Sequence, residues 1–212
     1  MGELIRVSMK QQIYEIVKGR IMDQTYPLGS PVNIVSLSKE FGVSNTPIRE
    51  ALNILCAEGL LVSTLNTKFR VIEMDEDVKR ELNEAVYVVL SGAYQCACRS
   101  GKVAALPRLL EDAYAAQLAC GKEADTEYIK TAIAFDRCFV QVAENDKLLA
   151  VFDNLSTLLF LSVRYTYYQS DHSVADNLSD HRTMLEAVRA GDQSRVLDTL
   201  LHHYSKIHPD KQ

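Results

Sequence analysis

The stretch FGVSNTPIREAL, residues 41–52, places two structure breakers, Gly42 and Pro47, around small polar residues and then runs straight into a helical pattern. Ile48, Ala51, Leu52 and Leu55 fall at i, i+3, i+4 and i+7 and make one apolar stripe, while Asn45, Arg49 and Asn53 recur every four residues on another face. Ser44 has the side chain of a helix N-cap, and Pro47 is tolerated in a first turn, where its missing N–H would have had no partner. The corner therefore aims a polar helix tip away from its own apolar support.

Working outward, residues 8–22 carry Met9, Ile13, Ile16, Val17 and Ile21 near helical spacing behind a capping Ser8. Tyr26, Pro27 and Gly29 break that helix; Ile34, Leu37 and Phe41 mark a short second one, with Ser36, Lys39 and Glu40 outward, and Gly42 ends it. After Gly59, LLVSTLNTKFRVIEM (60–74) alternates around an Asn66-Thr67-Lys68 tip and predicts a β-hairpin. Helix, helix, tight turn, helix and hairpin is the order of a winged helix-turn-helix. In that fold the tip of the third helix enters a major groove, with Ser44, Asn45, Thr46 and Arg49 toward DNA and Lys68 on the wing. Arg49 has the chemistry to clamp a phosphate, to donate two hydrogen bonds to a guanine edge, or simply to pair with a nearby acid; Asn45 has that to read adenine or to bind the backbone.

Composition supports a two-part chain. With 212 residues, 47% of them hydrophobic, there is material for one large core or two modest ones, and two domains are expected, 1–73 and 74–212. The longest apolar runs, such as LLFLSV at 158–163, fall far short of a membrane span. The N-terminus has no apolar signal region and the five cysteines are odd in number, which predicts a reducing, cytoplasmic setting with Cys96 and Cys98 as small core residues. The net charge of −5 argues against a polyanionic partner, but it is unevenly spread. Residues 1–73 hold eight Lys or Arg against seven Asp or Glu, and the remainder holds fifteen against twenty-one. The N-terminal part is thus near neutral, which permits DNA binding without proving it.

Downstream of Met74 the pattern predicts helices at 75–100, 103–120, 125–144, 146–169, 177–190 and 192–207. Ser100-Gly101, Cys120-Gly121, Asn145 and Gly191-Asp192 punctuate them; Asp75 and Asp192 serve as N-caps and Gly101, Gly121 and Gly191 as exits. The fold class is mainly α: an N-terminal winged helix-turn-helix followed by an all-α antiparallel bundle closing around a central pocket.

GVSNTPIREALNILCAEGLL at 42–61 resembles the signature of the GntR family of bacterial transcription regulators, with the SxTPxREAL core at Ser44 to Leu52 and EGL at Glu58 to Leu60. The resemblance covers about residues 10–72 and implies DNA binding. Two positions depart from the family, which usually has arginine at Asn45 and a wing glycine at Lys68. A domain poor in cations implies weaker nonspecific binding and a shallow salt dependence.

The C-terminal part resembles the FadR-like subgroup, whose effector domain is the helical bundle called FCD. FDRCFVQVAENDKLL (135–149) is similar to its D-x-x-x-H helix and N-x-x-L exit, and SDHRTMLEAVRAGDQSRVLDTLLHHY (179–204) to its last helix pair. Many relatives hold a divalent metal there with one Asp and three His. Carried over by position, Asp136, His181 and His203 take three of those places and Val140 the fourth, so the resemblance implies a three-ligand zinc or nickel site. Two alternatives stay open: that these side chains merely satisfy one another, and that His202 rather than His203 faces inward. The stretch EAVYVVL at 84–90 lacks the arginine with which the subgroup often binds effector carboxylates, so a more apolar or neutral effector is expected, in a pocket lined by Tyr87, Tyr94 and Arg164.

The function this predicts is not enzymatic. It is a homodimeric, ligand-responsive regulator that binds a short palindromic operator on double-stranded DNA. The competing readings are a metal-dependent hydrolase built on the bundle and a winged-helix protein-interaction module.

Overall fold

The computed structural model describes residues 8–64, 68–120, 125–167 and 174–205. The chain divides into two compact units, Met1–Met74 and Asp75–Gln212, each with a core of its own.

In the first unit α1 (Met9–Met22) begins at Ser8, whose hydroxyl accepts from the Gln11 backbone N–H at 3.2 Å. Ile13, Val17 and Ile21 are buried as the spacing predicts, but Met9 and Ile16 are exposed and Tyr14 takes the inward place. Tyr14 is there because its ring is apolar and its hydroxyl has an acceptor: it donates to Glu58 Oε1 at 2.6 Å, while Lys18 bonds both the Tyr14 hydroxyl at 2.8 Å and Glu58 Oε2 at 2.9 Å. This ties α1 to the end of α3.

The second helix, α2 (Ile34–Phe41), is capped by Asn33 and ends on Gly42 in the left-handed region at φ 66°. Ile34 and Leu37 are buried, whereas Phe41 is only half-buried under the Arg20 guanidinium, 5.5 Å from the ring centre. The next helix, α3 (Asn45–Ala57), starts at Ser44, which holds the N-cap position without making a side-chain cap hydrogen bond. Ile48, Ala51, Leu52 and Leu55 are fully buried, so the stripe that decides the fold does form the support of this helix.

The wing has three strands where the alternating pattern predicts two. Strands β2 (Leu61–Thr64) and β3 (Lys68–Val71) pair in register Leu61↔Val71 to Thr64↔Lys68, and a two-residue strand β1 (Pro31–Val32) adds on the far side of β3 through Pro31↔Arg70 and Val32↔Phe69. β1 is too short to show alternation and opens on a proline, which is compatible with an edge strand only. Gly29 makes this entry: its φ is +72°, its N–H donates to the Val71 carbonyl at 3.2 Å, and a Cβ there would meet Glu73 Oε1 at 3.0 Å. Of the predicted tip, Asn66 and Thr67 lie outside the described residues.

The second unit is a helical bundle, as expected. Its helices are α4 (Glu76–Ser100), α5 (Leu106–Ala119), α6 (Thr126–Gln141), α7 (Asp146–Tyr167), α8 (Val174–Ala190) and α9 (Gln193–Ser205). Asp75 caps α4 through Val78 N–H at 2.8 Å, and Asp192 accepts from Arg195 N–H at 3.0 Å. Three boundaries differ from the periodicity. A 3-10 turn at Lys102–Ala105 precedes α5, because Pro107 suits a first turn and α5 starts there. α6 ends at Gln141, short of the expected 144, and Asn145 caps the next helix by accepting from Lys147 and Leu148 N–H at 3.0 and 3.2 Å. α8 starts before the expected 177, at Val174, which is buried beside Tyr128 and Ala132. Gly121 and the predicted ends beyond residues 167 and 205 lie outside the described residues. The core joins Leu82, Val86, Leu90 and Tyr94 of α4 to Phe135 and Phe139 of α6, Phe152 of α7, Met184 of α8 and Val196 and Leu200 of α9. Cys96 and Cys98 are both half-buried, and Cys98 packs against the edge of this core.

Candidate nucleic-acid interface and metal centre

Local sequence builds the first site. α3 buries Ile48 and Leu52, so its other face must carry Asn45 and Arg49 outward. In β3, alternation buries Phe69 and Val71 and turns Lys68 and Arg70 to solvent. Together with the start of α2 these elements line one groove of about 450 Å³, bounded by Asn33, Asn45, Arg49, Thr64, Lys68 and Arg70 among others. The lining residues include three cations and no carboxylate. Two acids of this unit are engaged elsewhere: Glu58 with Lys18, and Glu40 with Arg20, whose guanidinium it clamps through both carboxylate oxygens. A nearly neutral unit thus presents a locally positive face. Ser44 and Thr46 are exposed at the same helix tip but do not line the groove.

Sequence reasoning missed Arg70, Asn33 and Val35 on this surface. Arg70 was legible, since it lies two residues from Lys68 in an alternating strand; its guanidinium also donates to the Gly29 carbonyl. Val35, the most exposed of the large apolar side chains among the described residues at 69%, had no such signal, because an apolar residue in a short helix is ordinarily assigned to the core.

The second site lies inside the bundle. Asp136 on α6 is buried, and its Oδ2 accepts from the Tyr204 hydroxyl at 2.7 Å. His181 on α8 is wholly buried, stacked on Phe135 with ring centres 4.1 Å apart, and its Nδ1 lies 2.8 Å from Gln117 Oε1. On α9, His203 points inward, with Nδ1 2.9 Å from Asp180 Oδ2, while His202 is exposed, so His203 is the one that joins the cluster. Each of Asp136, His181 and His203 offers a ligand atom, and these atoms lie within 4.8 Å of one another. Val140, at the fourth place, is fully buried and apolar.

Electrostatics shape this cluster. Burial raises the Asp136 carboxyl to about 6, and it pushes His181 well below its ordinary value, with His203 adding to that depression. The Tyr204 hydroxyl is pushed upward by burial and by Asp136 beside it. Asp136 Oδ1 and His181 Nε2, 3.8 Å apart, are buried and have no hydrogen-bond partner among the described residues. Two unpartnered buried polar atoms facing each other are costly unless a cation or a proton lies between them. The two histidines are also held at their other ring nitrogen by Gln117 and Asp180, as metal-ligating imidazoles commonly are. On these grounds the donor set fits a divalent cation.

The expected effector residues Tyr87 and Tyr94 lie on α4 and Arg164 on α7. Tyr94 is a core residue packed edge-to-face on Phe139 at 6.0 Å, and Tyr87 is half-buried against the same core. Arg164 reaches Thr126 Oγ1 at 3.4 Å. A hollow of about 360 Å³ on this unit lies between α5 and α8, lined by Tyr114, Leu118, Arg182, Leu185 and their neighbours.

Comparison with known proteins accounts for both halves of the chain. Residues 81–206 match the FCD domain, and residues 9–71 match the bacterial regulatory proteins of the gntR family. A probable D-xylose utilization operon transcriptional repressor of Paenarthrobacter nicotinovorans is 28% identical over 97% of this chain and 90% of its own length. The Nta operon transcriptional regulator of Aminobacter aminovorans is 28% identical over 84% of this chain and 85% of its own. Among solved structures, E. coli McbR/YncC shares the fold with a TM-score of 0.64 at 21% identity, covering 95% of both chains. The domains and relatives matched are those of transcription regulators rather than enzymes, and this chain belongs to the gntR family of bacterial regulatory proteins with an FCD domain.

Proposed function

We propose that the protein is a ligand-responsive, sequence-specific DNA-binding regulator acting as a homodimer on a short palindromic operator. The first unit is the DNA-binding domain, and the second senses an effector and dimerises. The observation that carries this reading is the groove in which Asn45 and Arg49 of α3 meet Lys68 and Arg70 of β3 with no acidic side chain in its lining. Such a face takes a helix tip into the major groove and a wing cation to the backbone, and a two-fold dimer would double it into a palindromic target. A cytoplasmic location fits that role, and among the described residues no helix is long and apolar enough to cross a membrane. An effector that shifts operator affinity 5- to 150-fold needs a coupling of only about 1–3 kcal/mol. Selection of bound duplexes from random DNA with the purified protein tests the reading. Recovery of one palindrome supports it, and an unenriched pool sinks it.

Lys68 and Arg49 differ in kind. Lys68→Ala is expected to weaken binding to all duplexes alike and to reduce the slope of log K against log salt by about 0.9, the loss of one phosphate contact. A titration across salt concentrations reads this directly, and an unchanged slope removes Lys68 from the backbone contacts.

Asp136, His181 and His203 would hold a divalent cation such as zinc or nickel, with a position left for an effector group or water. The cation would supply a Lewis-acid anchor for a donor atom of the effector. Val140→His, one helical turn after Asp136, is expected to add a fourth ligand and to tighten zinc binding by more than about tenfold. Competition with a chelator measures this, and equal affinity for the variant and the parent would place residue 140 out of reach of the ion.

A further inference from the structure

Gln117, near the end of α5, is wholly buried although it is an amide, and each half of that amide is committed. Its Nε2 donates to Asn177 Oδ1 on α8 at 2.6 Å. The same Oδ1 accepts from the hydroxyl of Tyr128 on α6 at 2.7 Å, and Tyr128 also lies 3.3 Å from the Val174 carbonyl. An amide whose NH2 is turned to Asn177 must present its oxygen to its other neighbour, which is His181 Nδ1 at 2.8 Å. An amide oxygen only accepts, so Nδ1 carries the ring proton. In a neutral imidazole that leaves Nε2 as a bare lone pair, and Nε2 is the atom that faces Asp136 Oδ1.

We infer that Gln117 is a positioning residue: it holds His181 as the Nδ1–H tautomer, with Asn177 and Tyr128 fixing its amide, so that Nε2 is ready to ligate before any cation arrives. The cation itself rests on the metal reading above, whereas the tautomer does not. Without Gln117, nothing in this chain of hydrogen bonds would keep the proton off Nε2, and a cation would first have to displace it. The chain runs from α6 through α8 and α5 back to α8, so ligand readiness depends on three helices being in place together.

Nuclear magnetic resonance of the full-length, metal-free protein carrying ring-15N histidine tests this, with the His181 signals assigned by their loss in His181→Gln. A protonated Nδ1 and an unprotonated Nε2 are expected. Gln117→Met, unbranched and without an acceptor, is expected to move the ring toward Nε2–H and to weaken zinc binding by about 10- to 100-fold, whereas Gln117→Glu, which keeps an acceptor toward Nδ1, should retain the tautomer. An Nε2–H ring in the unmutated protein overturns the inference, as does an unchanged tautomer in Gln117→Met. Should Gln117→Met fail to fold, the unmutated spectrum and Gln117→Glu decide. Nδ1–H together with no uptake of zinc or nickel would leave the tautomer assignment standing and sink the metal reading alone.

Discussion

Arg49→Ala is expected to weaken binding of the selected duplex by about 1–3 kcal/mol, roughly fivefold to more than a hundredfold, while stability stays within about 0.5 kcal/mol. The two parts of this expectation come from one geometric fact. Arg49 lies on the solvent face of α3, opposite Ile48, Leu52 and Leu55, so its removal leaves the packed stripe intact. Fluorescence anisotropy with labelled duplex, paired with a thermal melt of the same sample, reads both. The pattern of loss also separates the chemistries left open for this side chain. A loss confined to the selected sequence means a base edge, and a uniform loss with a shallower salt slope means a phosphate. An unchanged affinity would take Arg49 out of the interface, and with it the main reason for assigning the groove to DNA.

Asp136→Asn should act in two opposite directions. Burial lifts the Asp136 carboxyl from 3.8 to about 6, so the folded chain holds this proton more tightly than the unfolded chain does. Its contribution to stability is therefore most favourable below the unfolded value and declines as pH rises from 3.8 through 6. Above that window the metal-free fold carries an ionised, half-satisfied carboxylate in its interior. The amide in Asp136→Asn would keep an acceptor for Tyr204 and remove the charge, stabilising the metal-free protein near neutral pH by up to about 3 kcal/mol. The same change deletes an anionic ligand, so the rise in melting temperature on adding zinc or nickel, expected of the parent, should vanish. His181 works in the other sense. Its depressed value means that the stability it contributes is present above 6.5 and is lost as pH falls below that. A melt series over pH, with and without cation, would show a narrower range of stability for the metal-free parent than for Asp136→Asn. If Asp136→Asn proves less stable than the parent at every pH, the carboxylate is serving the fold and not a ligand.

What the sequence made legible follows from which forces are local. The stripe at Ile48, Ala51, Leu52 and Leu55 and the caps at Ser8 and Asp75 are written in spacing and side-chain type, and the helices they specify formed where expected. Tyr14 was missed because what places it inward is Glu58, 44 residues away. β1 was missed for a similar reason: two residues carry no period, and only the finished β3 gives them partners. In the bundle, the resemblance pointed to Asp136, His181 and His203, but their supports, Gln117, Asp180 and Tyr204, stand on other helices at no fixed spacing. The tyrosines expected around an effector illustrate the limit from the other side. Tyr94 packs edge-to-face on Phe139, a partner on another helix that its own spacing does not announce.

Strand β1 also bears on how duplex recognition is paid for in entropy. By pairing Pro31 and Val32 with Arg70 and Phe69, it fastens the chain segment leading into α2 to the strand that carries Lys68 and Arg70. The cations of the wing and the helix pair before them are then parts of one stiff plate, and a complex formed by such a plate avoids an ordering cost of about 1–2 kcal/mol for each backbone residue that would otherwise have to be immobilised.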